Sequence, residues 1–167
     1  MKQSVLAEAM LKSYSNLVVL AEAIDKKIMN FTTIQCVKDL SALELSNKII
    51  DMMQKKILMC NTKVLVERVF KQLDKDLARL LILHYVDNMT IEKLASHFNI
   101  SLRTAYRKFA RAKEDFVNLL TLNGYGEKRL NEMYKGQYWL LKYIDLDDCI
   151  IRTTDKKDEL IVNYNVQ

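Results

Sequence analysis

The sequence predicts a mainly α protein: an N-terminal helical hairpin, a central helix-turn-helix, and a C-terminal helix with a small β-hairpin. Three observations predict it. The 167 residues contain no Pro and only three Gly, at 124, 126 and 136, so helix breakers are missing from the first two thirds of the chain. Apolar residues recur at helical spacing through the same region. One stretch, Thr90 to Phe116, carries the turn chemistry that two closely packed helices need. The expected segments are 1–70 (amphipathic helices for packing or dimerisation), 71–123 (helix-turn-helix) and 124–167 (helix plus hairpin).

Residues 2–29 read as one amphipathic helix, with Leu6, Met10, Leu17, Ala21, Ile24 and Ile28 on one face and a break at Asn30-Phe31-Thr32-Thr33. Thr32 or Thr33 is placed to cap a short segment through Lys38. Ser41, with Glu44 three residues on, forms a capping box for a second long helix whose expected stripe is Leu45, Ile49, Met52, Met53 and Ile57. The run from Lys63 to Gln72 either continues that helix or follows a break at Asn61-Thr62. The two long helices suit an antiparallel hairpin packed on the rest of the chain. A coiled coil is the alternative, and either way the stripe must be covered, by the central helix-turn-helix or by a second protomer.

The support helix follows, with Leu77, Leu80, Leu81, His84 and Tyr85 inward and Asp87-Asn88 as its turn. Thr90 caps a short helix whose inner face is Ile91, Leu94, Ala95 and Phe98. Ala95 is small where two helices approach. Asn99 tolerates left-handed backbone, Ile100 is an apolar plug, and Ser101 caps the next helix. On that helix, at 100° per residue, Ala105, Phe109, Ala112 and Phe116 fall on one side, and Arg103, Arg107 and Arg111 fall on or near the other. From Ser101 to Lys113 there are five basic residues and no acidic one.

That pattern points to double-stranded DNA. The first turns of such a helix enter the major groove, where Arg donates two hydrogen bonds to guanine, while cations further along meet phosphate. Arg103, Tyr106 and Arg107 are the candidates for base edges, with Lys108, Arg111 and Lys113 for the backbone. Thr90, Ser101 and Thr104 complete the expected DNA-binding set. The net charge of +5 and a pI near 9.0 suit an acidic partner.

The same stretch resembles the fourth conserved region of sigma factors. Its recognition pattern, S-x-x-T-V-x-x-R-L-x-R-A-x-x-x-L, is met at Ser101, Thr104, Arg111 and Ala112, with like-for-like changes at Ala105, Lys108, Phe109 and Phe116. Upstream, LHYVDNMTIEKLASHFNIS is similar to L-x-Y-x-E-G-x-S-x-x-E-I-A-x-x-L-x-x-S, with Asn88 at the usual Gly and Lys93 at the usual Glu. Nothing upstream looks like region two. The layout is instead similar to small phage regulators such as late-gene activators of the ArpU type. The resemblance implies a promoter-binding transcriptional regulator with RNA polymerase as a partner.

Beyond the motif, the third helix is expected to run to Leu122, with Gly124 ending it. A further helix is expected over Glu127–Ile144, and a hairpin from the β-type runs at 149–154 and 160–164. Tyr134, Tyr138, Trp139 and Tyr143 read as core rather than a stacking platform. An enzyme is not expected: the two His, His84 and His97, sit at helix positions that read as partly buried, and no phosphate loop, nucleophile elbow or metal spacing occurs. No cofactor or metal is expected. The three scattered Cys and the interrupted apolar N-terminus suit a cytoplasmic protein with no membrane association. Two rival functions share the motif. One is a DNA-recognition and assembly protein like a phage small terminase. The other is a regulator that holds a protein on the same fold.

Overall fold

The computed structural model describes residues 1–32 and 41–144. The elements in order are α1 (Gln3–Ser13), a 3₁₀ turn (Tyr14–Asn16), α2 (Leu17–Thr32), α3 (Ala42–Gln72), α4 (Lys75–Tyr85), α5 (Ile91–His97), α6 (Leu102–Leu122), α7 (Glu127–Met133) and α8 (Tyr138–Leu141). The β-hairpin at 149–164 and the short segment at 33–38 lie outside the described residues. Among those described, no helix is long and apolar enough to cross a membrane.

The expected single helix over 2–29 is two helices. The Ser13 hydroxyl is buried and donates to the Met10 carbonyl (3.0 Å), in a run, Ser13-Tyr14-Ser15-Asn16, rich in residues that compete for backbone hydrogen bonds. The chain tightens there into the 3₁₀ turn. Helix α2 runs to Thr32, within the span 30–33 where the break is expected, so Asn30 and Phe31 are still helical.

The two parts of this segment have different surroundings. In α1, Leu6, Ala7, Ala9, Met10 and Leu11 are all 1% exposed or less, so the helix is apolar nearly all round. It packs against α6, α7, α8 and α3 at once. The hairpin therefore consists of α2 and α3. It is antiparallel: Lys56 of α3 pairs with Asp25 of α2 (2.6 Å), and further along Glu67 accepts a hydrogen bond from Tyr14 (3.2 Å).

Helix α3 is one rod of 31 residues, which closes the question left open at Asn61-Thr62. It starts at the expected capping box, where the Glu44 amide donates to Ser41 Oγ (3.3 Å) and Glu44 Oε2 accepts from the Ser41 amide (2.8 Å). Thr62 does not interrupt it, because its hydroxyl donates back to the Leu58 carbonyl (2.7 Å). Of the expected stripe, Leu45, Ile49 and Met52 are partly covered, but Met53 and Ile57 face solvent.

One buried cluster joins α1, the C-terminal half of α3, and α4, α6, α7 and α8. Phe116, Leu120, Leu81 and Val66 lie at its centre, fully covered. Helix α6 ends as expected at Gly124. The Gly124 amide reaches the Thr121 carbonyl (2.9 Å) and the Tyr125 amide reaches Leu120 (2.9 Å), with Gly124 at φ 82°.

The expected helix over 127–144 is instead α7, a turn and α8. Gly136 stands at φ 70° in that turn, a left-handed backbone that ends α7. The reversal seats both Tyr134 and Leu140 in the core. Tyr134 is core, as expected, whereas Tyr138 is largely exposed. The Tyr134 hydroxyl shares a buried hydrogen bond with Thr62 (2.8 Å). Burial pushes this phenol up to about 12, against the opposing effect of the Thr62 bond.

The raised value has a defined consequence. In the unfolded chain Tyr134 titrates near about 10, so between about pH 10 and 12 the folded form holds a proton that the unfolded form has lost. Its stabilising contribution is full below about pH 10 and is lost as pH rises toward 12, by up to about 2–3 kcal/mol. Tyr134→Phe should cost about 1 kcal/mol at pH 8 through the lost hydrogen bond. It should also show a shallower fall in stability above pH 10 than the wild type does. Urea unfolding of both proteins across this range checks the difference, and parallel declines would contradict it.

Candidate nucleic-acid interface

The interface is built from α5, its turn and α6. Asp74 caps α4, accepting from the amides of Asp76 (3.0 Å) and Leu77 (3.3 Å). At the far end of α4, Asn88 takes φ 53° at the place where the sigma pattern has Gly. His84 Nδ1 lies 2.7 Å from the Met89 carbonyl and holds the incoming chain. Thr90 then caps α5, accepting from the Lys93 amide (3.4 Å).

The second turn follows the chemistry read from the sequence. Asn99 is at φ 52°. Its amide reaches the Ser96 carbonyl (3.1 Å), and the Ile100 amide reaches Ala95 (3.0 Å). This is the double closure usually completed by Gly, here completed by Asn. Ala95 is buried against α6, where a larger side chain would separate the helices. Ser101 accepts from the Thr104 amide (3.2 Å), and its hydroxyl also meets Thr104 Oγ1 (2.8 Å). Thr90 and Ser101 thus cap the helices that follow them, and Thr104 is tied to Ser101 from within the first turn of α6.

Along α6, Ala105, Ala112 and Phe116 are buried and Phe109 is half-buried, stacked at 6.0 Å on Tyr85 of α4. Arg103, Arg107, Lys108 and Arg111 are all exposed. Among the described residues, Arg103, Arg107 and Lys108 form no ion pair. Arg111 lies 3.6 Å from Asp115, one turn on. Lys113 is elsewhere: its ammonium lies 3.1 Å from Glu8 of α1 and 5.5 Å above the Phe109 ring. It joins α6 to the buried N-terminal helix.

Tyr106 is half-exposed and its hydroxyl donates to Glu92 Oε1 on α5 (3.3 Å). Glu92 was not among the sequence candidates. Its carboxyl is held below the usual range by its own backbone amide, then by Thr90, with a smaller contribution from Tyr106. It stands at the rim of a shallow groove between α5 and α6 lined by Ser96, Asn99, Ser101 and Leu102. A signal was present in the sequence: Glu92 is the only acidic residue of α5. Arg79 of α4 also borders this face, 3.4 Å from His97 and over the Phe98 ring (5.7 Å). His97 is exposed, a correction to its partly buried reading, because it lies on the outer side of α5 from Leu94 and Ala95.

Residues 63–116 match the family model for sigma-70, region 4. The match begins in the second half of α3 and runs through α4, α5 and most of α6, so it includes the whole helix-turn-helix. No curated protein and no solved structure matches the chain.

The left-handed turn yields a direct test. Asn99→Gly should leave stability within about 1 kcal/mol, since Gly enters this backbone freely. Asn99→Val should cost about 1–3 kcal/mol, because a β-branched residue is strained there. Thermal unfolding of the two variants beside the wild type gives the ranking. Equal midpoints would show that the turn does not restrain the fold.

Proposed function

We propose that the chain is a sequence-specific DNA-binding transcriptional regulator acting at promoters in the cytoplasm, with double-stranded DNA and RNA polymerase as partners. The reading includes a second copy of the chain, paired through the N-terminal helices. The observation that carries it is the set Arg103, Arg107 and Lys108, exposed on the first turns of α6 and, among the described residues, without ion pairs. A sigma-70, region 4 match over the same residues supports a promoter as the target. The layout, with helices before such a motif, favours a small phage-type regulator of the ArpU kind.

Roles follow from position. Arg103 and Arg107 read guanine edges, being one turn apart at the end of α6 that enters the groove. Lys108 and Arg111 meet phosphate. Tyr106, tied to Glu92, holds α6 against α5 and presents its ring edge beside the bases. The amides opening α5 and α6, capped by Thr90 and Ser101, offer positive dipole ends to the backbone. Lys113 is left out of the contact set, because its charge is engaged by Glu8.

Selection from a random DNA pool followed by footprinting should return one sequence class. On that sequence, Arg103→Ala with Arg107→Ala should weaken binding at least ~100-fold while helical content is retained. Lys108→Ala should instead weaken binding on all sequences and reduce the salt slope by about one. Unchanged affinity in the double variant would overturn the site. Equally weak binding to every DNA would favour an assembly role like that of a small terminase, and no DNA binding at all would favour a protein-holding regulator.

A further inference from the structure

The outer side of α3 carries a second apolar stripe, distinct from the one facing α2. Leu43, Ile50, Ile57 and Val64 recur every seven residues, with exposures of 72%, 49%, 56% and 53%, and Met53 lies between them at 50%. Ser46 and Cys60 occupy the equivalent intermediate places, so the stripe from 43 to 64 contains no charge. Among the described residues it faces solvent. Four apolar residues held at a strict seven-residue repeat match another helix lying alongside, since that period keeps one seam facing a partner.

We propose that this stripe pairs with the same stripe of a second copy, antiparallel, as a two-fold coiled coil about a centre between Asp51 and Met52. The inference rests on the pairing part of the proposed function and not on its DNA part. Its argument is self-complementarity. In this register the large Leu43 meets the small Cys60 of the other copy, Ile50 meets Met53, and Ile57 meets Ser46. A parallel arrangement would instead set Ser46 on Ser46 and Cys60 on Cys60, leaving gaps.

Charge agrees. One edge of the stripe is lined by the uncharged amides Asn47, Gln54 and Asn61. The other carries Lys56 and Lys63, each already matched within its own chain, by Asp25 and Glu67. Two copies therefore approach without opposing like charges. The antiparallel sense also keeps apart the two bulky ends, where Val66 and Val69 are buried beneath α1 and α6.

The test uses the full chain. Light scattering behind size exclusion at micromolar concentration should give twice the chain's 19.6 kDa. Ile50→Glu with Ile57→Glu, at positions already exposed in one copy, should keep the helical signal and weaken association at least ~100-fold. With Cys36→Ser and Cys149→Ser as background, adding Leu43→Cys should give an oxidised covalent dimer through Cys60, whereas Cys60 alone should give none. A monomeric wild type would overturn the proposal, including the case in which residues 145–167 cover the stripe within one chain. It would leave the DNA reading standing. A double variant that stays dimeric, or cross-linking by Cys60 alone, would overturn it equally.

Discussion

The buried cluster that joins α1, the C-terminal half of α3, and α4, α6, α7 and α8 depends on the burial of α1. Leu6, Met10 and Leu11 are fully covered, and the faces of α3, α6, α7 and α8 close around them. A helix-turn-helix alone offers three short helices and a small core. Here the recognition helix is extended to 21 residues, and its second half, through Phe116 and Leu120, is gripped by the first helix of the chain. Ala7 and Ala9 let that grip be close. Polar fastenings lie at its rim: Gln3 Nε2 donates to Thr121 Oγ1 (2.8 Å) and to the Tyr125 carbonyl (3.0 Å), and Glu8 holds Lys113. The orientation of the basic face is thereby set by residues more than a hundred positions earlier.

This division explains what could be read in the sequence. The Asn99 turn, the Thr90 and Ser101 caps, the capping box at Ser41 and the Gly124 stop are local. Each rests on one side chain and the two or three amides nearest it, so residue type and spacing suffice. The inner face of α6 was legible because periodicity specifies which residues share a side. Its neighbours were not. Lys113 falls within the basic run, and only the position of α1 reveals Glu8 beside it. The split of 127–144 into α7 and α8 depends on Gly136 taking a left-handed backbone, and on the core drawing in Tyr134 and Leu140 from either side of it. Met53 and Ile57 have helical spacing with Ile49 and Met52, yet α2 covers only part of that width.

The electrostatics of the interface are selective rather than merely positive. The chain has 26 basic and 21 acidic side chains, and several of the carboxylates are spent on its own cations: Asp25 on Lys56, Glu67 on Lys63, Glu8 on Lys113 and Asp115 on Arg111. Among the described residues, this neutralisation stops toward the start of α6. Glu92, on the neighbouring helix, is turned to the Tyr106 hydroxyl, to its own backbone amide and to the Thr90 side chain. A cation without a partner in its own chain keeps its full attraction for an outside anion, and less of that attraction is lost to competition within the protein.

The unbroken length of α3 has a consequence on a larger scale. A rod of 31 residues spans roughly 46 Å at about 1.5 Å per residue. Pairing about the point between Asp51 and Met52 would leave the C-terminal end of α3, with the helices packed on it, at each outer end of the pair, separated by roughly 60 Å along the common axis. That is close to two turns of B-form DNA and well beyond one, at roughly 34 Å per turn. The absence of any break at Asn61-Thr62 would then act as a ruler, making the interval between two recognition sequences a property of helix length.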